Sequence, residues 1–242
     1  MDRLTRHQLK HDEFRDTFDR LEDYLKQHYQ DILTTTLLVV VVVGAAVGLK
    51  LYVDRQEAEA DAALGAALRT FRAYVGTSAP GALGPDAETY PTAETKYKKA
   101  LDEFNAITQK YRMYPRPKAV AIARYQAGVC QALLGDQAAA IRTLEEASHE
   151  RDPEIAALAR LALADELAKA GKLAEAAKIY QDLADRPTLS VPRATALLAM
   201  ADAYRTSQPA RARQIYISLQ KEFGSDPTVA ETIKQQMSGL PQ

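Results

Sequence analysis

Residues 32–49 form a run of eighteen residues without a charge, ILTTTLLVVVVVGAAVGL, between Asp31 and Lys50. As a helix this run would be about 27 Å long, close to the roughly 30 Å hydrocarbon core of a bilayer. The alternative is a buried core helix or strand, since five successive valines favour β structure in water. Because polar, helix-forming segments flank the run on both sides, we interpret it as a transmembrane helix. Lys50 can extend its ammonium group outward, so the predicted span covers residues 32–53.

The flanks of the run carry further membrane features. Tyr29 and Tyr52 lie where an aromatic belt is expected. Gly44 and Gly48 form a small-xxx-small pair that could pack against another membrane helix, although glycine is common in membrane helices in general. We predict these two glycines as transmembrane packing positions.

The N-terminal tail, residues 1–31, is polar and long, which is typical of an uncleaved anchor and not of a cleavable signal peptide. Thr5 and Gln8 have capping-box spacing for a helix start. An apolar stripe at helical spacing follows on a charged background, and it could lie on the membrane surface, dock a partner helix or be a solvated face. The stripe consists of Phe14, Phe18, Leu21 and Leu25.

Metal and covalent chemistry have little support in this sequence. His7 and His11 have a spacing that can ligate a metal, but the sequence places no third ligand, so we predict no metal site. The single cysteine, Cys130, cannot form an intrachain disulfide, and we expect it to be a small buried apolar residue.

The charge distribution argues against nucleic acid as a partner. The net charge is −1, with six Lys/Arg and eight Asp/Glu in residues 1–31 and 25 against 24 in residues 50–242. Neither part is the basic surface that neutralises phosphates. We therefore predict no nucleic-acid partner.

Beyond the span the apolar periodicity is helical nearly throughout, which predicts an all-α fold. Residues 54–91 are expected to be an extended helix, carrying Ala63, Ala67 and Phe71 on one face, followed by a loop at 76–91 that is rich in glycine and proline. We expect the membrane helix to continue directly into this segment.

The remainder, residues 92–240, contains an internal repeat. Ala140, Ala176 and Ala212 recur every 36 residues, and Gly135 and Gly171 share that spacing. Each unit reads as a helix rich in small residues, a tight turn, and a second helix with alanine followed four residues later by a large residue. We predict units at about 92–115, 119–153, 155–187 and 192–224 and a capping helix at 227–237, opened by Asp226 and Pro227.

The repeat resembles the tetratricopeptide repeat. Ala127-Gly128 and Leu163-Ala164 match its small pair in the first helix, and Tyr180 and Tyr216 match the large residue of the second helix, with Pro153 as a closing proline. The period is longer than the 34 residues usual for the family, and an aromatic near the start of each first helix is missing. The resemblance implies an α-solenoid of helical hairpins.

The resemblance also implies a peptide-binding groove along the first helices of the units, although each position could instead only pack between units. The groove positions that it implies are Tyr125, Val129 and Leu133, then Leu161, Asp165 and Lys169, then Leu198, Asp202 and Arg205. Chaperone-binding repeats clamp a peptide carboxylate with lysine and asparagine at these places, whereas this set has no asparagine and only one lysine, Lys169. We therefore do not expect a carboxylate clamp.

Known catalytic motifs are missing from the sequence. It has no glycine-rich phosphate loop, HExxH, G-x-S-x-G or cysteine pair. We expect a binding protein without catalytic residues, cofactor or small-molecule substrate. A hydrolase or transferase would need a site that no motif reveals.

The order of tail, single span, alanine-rich helix and repeats is similar to the membrane-anchored ancillary subunits of the bacterial Sec translocon. That resemblance implies an inner-membrane protein with a periplasmic repeat domain, and translocon subunits, periplasmic folding factors or nascent secretory chains as partners. A scaffold or receptor with its repeats in the cytoplasm is the alternative. The twenty residues on either side of the span each hold three Lys/Arg, but the whole tail holds six, which favours a cytoplasmic N-terminus.

Overall fold

A computed structural model describes residues 20–22, 24–76, 88–112 and 117–240. The regular secondary structure of the described residues is helical apart from two strands of two residues each, in agreement with the all-α prediction. Residues 1–55 and residues 56–242 form two compact units.

Helix α1, Tyr29–Arg72, contains the uncharged run and continues beyond it. Asp31 lies in its first turn and Arg69 and Arg72 in its last, which suits the helix dipole at both ends. The apolar window of α1 has no buried residue, and by length and composition the helix could cross a membrane. Thus α1 includes both the predicted span and most of the segment expected to extend it.

The part of α1 in the second unit has a buried face. Ala60, Leu64, Ala67 and Thr70 recur at intervals of three or four residues and are all buried. The first three belong to a first core that also contains Phe104 from helix α2, Ala93–Lys110. Thr92 and Thr95 exchange hydrogen bonds at the start of α2 and satisfy two of its free N–H groups.

A short strand pair follows α1 and was not predicted. Strand β1, Tyr74–Val75, pairs in parallel with strand β2, Thr89–Tyr90, at the end of the region expected to be a loop. Two residues are too few to show the alternation that identifies a strand in a sequence. The pairing gives partners to backbone groups on either side of residues 77–87, which lie outside the described residues.

The rest of the second unit consists of three helical hairpins and a last helix. Each helix contacts the next along the chain, and the first helices of neighbouring hairpins also contact each other, α3 with α5 and α5 with α7, while α7 also contacts α9. The hairpins are α3, Lys118–Leu133, with α4, Gln137–Ala147; α5, Pro153–Lys169, with α6, Leu173–Asp185; and α7, Arg193–Tyr204, with α8, Pro209–Phe223. Helix α9 is Pro227–Ser238.

The repeated residues lie at equivalent places in the cores. Ala140, Ala176 and Ala212 are fully buried on the second helices of the three hairpins. The large residues that follow them are buried as well, Tyr180 and Tyr216 among them. The 36-residue spacing therefore marks packing positions, where a small residue lets helices approach and a large one fills the space beyond.

The first two hairpins turn in the same way. Gly135 and Gly171 have φ of +81° and +79°, a backbone conformation that favours glycine. In the first turn the N–H groups of Gly135 and Asp136 donate to Ala132 and Gln131, the Schellman arrangement, and the second turn repeats it. The third turn has no glycine, and Pro209 opens the next helix instead.

Prolines and aspartates begin two other helices. Asp226 accepts from the N–H groups of Thr228 and Val229, so the predicted cap of the last helix forms. Asp152 caps α5 in the same way. Pro153, assigned by the resemblance to the close of a unit, is in fact the first residue of α5, where a missing N–H costs nothing.

The predictions for the N-terminal tail can be assessed only in part. Leu21 and Leu25 of the expected apolar stripe are exposed. The other positions lie outside the described residues, namely Thr5, His7, Gln8, His11, Phe14 and Phe18.

Candidate functional site

Eight of the nine predicted groove positions lie on α3, α5 and α7, the first helices of the three hairpins, and Arg205 directly follows the last residue of α7. Their apolar members differ in burial. Tyr125, Leu161 and Leu198 are half-buried and pack against a second core, which contains Tyr180 and Tyr216. Val129 is also half-buried, and Leu133 is 51% exposed. This face therefore offers apolar surface that is only partly covered by the hairpins themselves.

A cavity of about 670 Å³ lies between the second and third hairpins. It brings together four of the nine predicted positions, Asp165 and Lys169 from α5 with Asp202 from α7 and Arg205 from the turn that follows α7. The five apolar positions do not line it. The rest of its lining comes from Ala168, Gly171, Leu173, Tyr180, Ala199, Ala203, Thr206 and Ser207.

The two aspartates are held by tyrosines from the second helices. The Tyr180 hydroxyl donates to Oδ1 of Asp165 at 2.5 Å, and the Tyr216 hydroxyl donates to Oδ1 of Asp202 at 3.2 Å. The two members of each pair are 15 and 14 residues apart in the chain. Each carboxylate is thereby fixed to its own hairpin, and this hydrogen bond occupies only one of its two oxygens.

Burial dominates the electrostatics of Asp165. It raises the pKa of this carboxyl group above its usual value, and the negative charges of Glu166 and Asp202 act in the same direction. The Tyr180 hydroxyl and the Lys169 ammonium oppose this shift. The ionised carboxylate is therefore less stable here than in water, and a cation beside it would favour the charged form.

The tyrosines respond to the same carboxylates. Burial raises the pKa of Tyr180, and its hydrogen bond to Asp165 raises it further. Burial also raises the pKa of Tyr125, and the charge of Asp165 adds to that shift.

Both cations of the cavity have partners within the protein. Lys169 Nζ lies 2.6 Å from Oε1 of Glu166, whose side chain is buried. Arg205 donates from Nη1 to Oε1 of Gln236 on α9 at 2.5 Å and to Oδ1 of Asp202 at 3.3 Å. The cations are thus already engaged, and among the described residues no hydrogen-bond donor reaches Oδ2 of Asp165 or of Asp202.

Sequence reasoning missed three residues that shape this cavity. Tyr180 was predicted as a packing residue, and its hydroxyl also reaches the site. Glu166 was not singled out, although it neutralises Lys169. Gly171 was assigned only to the turn, and it lines the cavity as well. A spacing of about 15 residues between a first-helix aspartate and a second-helix tyrosine, present in two successive units, is the signal that could have revealed the first of these.

The predicted packing glycines of α1 lie on an open surface. A Cβ atom at Gly44 or Gly48 would have no atom within 4 Å among those that could obstruct it. The neighbouring large side chains of this stretch are exposed as well, with Val39 to Val43 each more than half exposed. This part of α1 can therefore accept either lipid or another helix.

The described residues contain no group of three or more His, Cys, Asp and Glu that could hold a metal ion. Cys130 is fully buried, and burial raises the pKa of its thiol to about 12. A thiol in that state is a packing group, since the thiolate is the reactive species. Its behaviour agrees with the expectation of a small buried apolar residue.

Comparisons with protein families, with curated proteins and with solved structures find no match to this chain.

Proposed function

We propose that the chain is a single-span membrane protein whose hairpin domain binds polypeptide segments along α3, α5 and α7. The observation that carries the proposal is the cavity between the second and third hairpins, which adjoins partly covered apolar side chains on one face. A bound segment needs both apolar contact and polar groups that fix its position. This face supplies both.

An α-solenoid of tetratricopeptide type is the arrangement that we infer for the hairpins. Its support is the 36-residue repeat of buried alanines, the two equivalent glycine turns, and the contacts between successive first helices. Stacked repeats bury a continuous core, and one set of helices then forms an extended surface.

The membrane part of the proposal rests on α1. Its apolar window is long enough to cross a bilayer and is not buried by the protein. A row of exposed leucines and valines this long would be costly in water, and lipid would cover it. We place the tail in the cytoplasm and the hairpins in the periplasm of a bacterial inner membrane, because the six basic residues of the tail favour that direction.

In that location the protein would act as an accessory, chaperone-like subunit of the Sec translocon. Nascent secretory chains, which are extended and partly apolar when they emerge, suit the face described above, and translocon subunits and periplasmic folding factors are further partners. We infer a role in binding without catalysis, cofactor or nucleic acid. A scaffold or receptor with its hairpins in the cytoplasm is the alternative.

Protease protection in intact spheroplasts tests the orientation. Protease added outside should digest the hairpin domain and leave the tail intact, and an epitope at each end would report both results. Digestion of the tail with protection of the hairpins would overturn the periplasmic placement and support the cytoplasmic alternative.

Photo-crosslinking in native membranes tests the binding face. A photoreactive amino acid at Tyr125 or Leu161 should capture secretory chains or translocon subunits. The control position is Glu145, which is exposed on α4. Equal capture from Leu161 and Glu145, or capture of the protein itself alone, would contradict a polypeptide-binding face.

A further inference from the structure

We propose that the cavity between the second and third hairpins receives a lysine or arginine side chain of the polypeptide bound along this face. The inference rests on the function proposed above and adds a chemical class to its substrate. The proposed occupant is a segment of another protein with a basic residue between apolar ones.

The charges of the cavity complement a basic side chain. Lys169 is paired with Glu166, and Arg205 donates to Gln236 and to one oxygen of Asp202, so neither cation is the obvious partner for an anion. The carboxylates of Asp165 and Asp202, by contrast, each retain an oxygen without a donor among the described residues. An incoming ammonium or guanidinium group supplies the donors that both oxygens can accept.

The lining of the cavity leaves room for a long side chain. Ala168, Gly171, Ala199 and Ala203 are small, and Leu173 adds an apolar wall. Such a lining accommodates the aliphatic part of a long basic side chain while its charged end lies beside the carboxylates. A volume of about 670 Å³ is ample for one side chain of this kind.

The cavity lies beside apolar residues of the same face. Leu161 lies four residues before Asp165, and Leu198 lies four residues before Asp202, so each carboxylate has an apolar neighbour one turn away on its own helix. A segment that places apolar residues on the leucines can direct a neighbouring basic residue into the cavity. The expected ligand therefore combines apolar residues with a lysine or arginine, and it is not simply a basic peptide.

The test uses the full chain in detergent micelles and three pools of unstructured synthetic peptides. The peptides are random in alanine, leucine and serine except at a central position, fixed as lysine, glutamine or glutamate. We expect the lysine pool to bind about tenfold more tightly than the glutamine pool, the change given by about 1.4 kcal/mol of a charge-assisted contact. The glutamate pool should bind least.

Asp165→Asn and Asp202→Asn should each bring the ratio of the affinities for the lysine and glutamine pools towards one. Asparagine can still accept the tyrosine hydroxyl, so these changes remove charge with little change of shape. Asp102→Asn, on the exposed surface of α2, is the matched control and should leave the ratio unchanged. Circular dichroism identifies a variant that fails to fold, and the two aspartate variants provide independent tests.

The outcomes separate this inference from the proposed function. If all three pools crosslink to a photoreactive residue at Leu161 and bind with equal affinities, the cavity does not select a basic side chain. The proposed polypeptide-binding face would still stand. A preference for the glutamate pool would also overturn it. If no pool crosslinks at Leu161 and none binds, both the inference and the binding face fail.

Discussion

The hydroxyl of Tyr180 donates a 2.5 Å hydrogen bond to Oδ1 of Asp165 and connects the two helices of the second hairpin. The third hairpin repeats the pair with Tyr216 and Asp202 at 3.2 Å. In both hairpins an aromatic ring fills the core, while its hydroxyl reaches the first-helix face. The same tyrosine thus stabilises the hairpin and orients a carboxylate of the candidate site.

Tyr180→Phe should lower the free energy of unfolding by about 1–3 kcal/mol, because it removes the donor from a half-buried carboxylate and keeps the ring. Urea unfolding of the full chain in detergent measures the change. Tyr216→Phe is the matched comparison, and its effect should be smaller because Asp202 is exposed and water can replace the hydroxyl. Equal losses of unfolding free energy in the two variants would contradict the expectation that the more buried hydrogen bond contributes more.

The stability of the wild-type protein relative to Asp165→Asn should decrease as the pH rises. Folding raises the pKa of Asp165 above its usual 3.8, chiefly by burial. The carboxyl group therefore favours the folded state fully below that usual value, and its contribution is lost as the pH rises through the folded-state pKa. The asparagine variant lacks this titration at residue 165.

Unfolding of both proteins over a pH series above and below 3.8 measures this difference. Glu154 titrates in the opposite sense, since the backbone N–H of Ser190 lowers its pKa, but this effect is common to both proteins and cancels. A difference in stability that does not change with pH would mean that Asp165 has an ordinary pKa in the folded state.

The helical class and the long apolar helix follow from patterns that extend over many residues. Eighteen uncharged residues, and small residues repeated every 36, are detectable because each depends on several positions at once. The strands β1 and β2 contain two residues each, and their pairing joins segments far apart in the chain. No local pattern could indicate it.

The site was predictable only in outline. The resemblance to the tetratricopeptide repeat implied that Asp165 and Asp202 lie on the first-helix face, but it does not show which of their oxygens a tyrosine occupies. Glu166 and Lys169 are three residues apart on α5, so their pairing is visible in the sequence, but the burial of Glu166 depends on how the hairpins pack, which the sequence does not give. For this reason the charges of the cavity became interpretable only with the geometry.

Gly128→Ala should destabilise the first hairpin by about 1–3 kcal/mol, the usual cost of overpacking. A Cβ at this position would lie 2.7 Å from Cγ of Leu144, closer than real atoms approach. Leu144→Ala should cost about 2–5 kcal/mol by leaving a cavity. In the double variant the added methyl group meets no leucine side chain. The loss of stability of the double variant should therefore be less than the sum of the losses of the two single variants. Strict additivity would contradict the contact between Gly128 and Leu144.

Gly135→Ala and Gly171→Ala should each cost about 1–2 kcal/mol, because both residues adopt a left-handed conformation that an L-side chain disfavours. No atom obstructs a Cβ at either position, so the cost comes from the backbone alone. Gly65→Ala, inside α1, is the control and should be neutral or stabilise by up to about 1 kcal/mol. Thermal unfolding of the three variants measures the contrast, and a neutral result at Gly171 would argue against the repeated turn.

Cys130 should not react with a thiol reagent in the folded protein at neutral pH. Its side chain is fully buried in the first core, and burial raises the pKa of the thiol to about 12, so the reactive thiolate is scarce. Labelling with a maleimide in detergent, followed by mass spectrometry, should show modification only after urea is added. Lys96 slightly opposes the shift by its positive charge, so Lys96→Met should not increase labelling while the core remains folded. Rapid labelling of the native wild type would mean that the first core opens readily between α2 and α3.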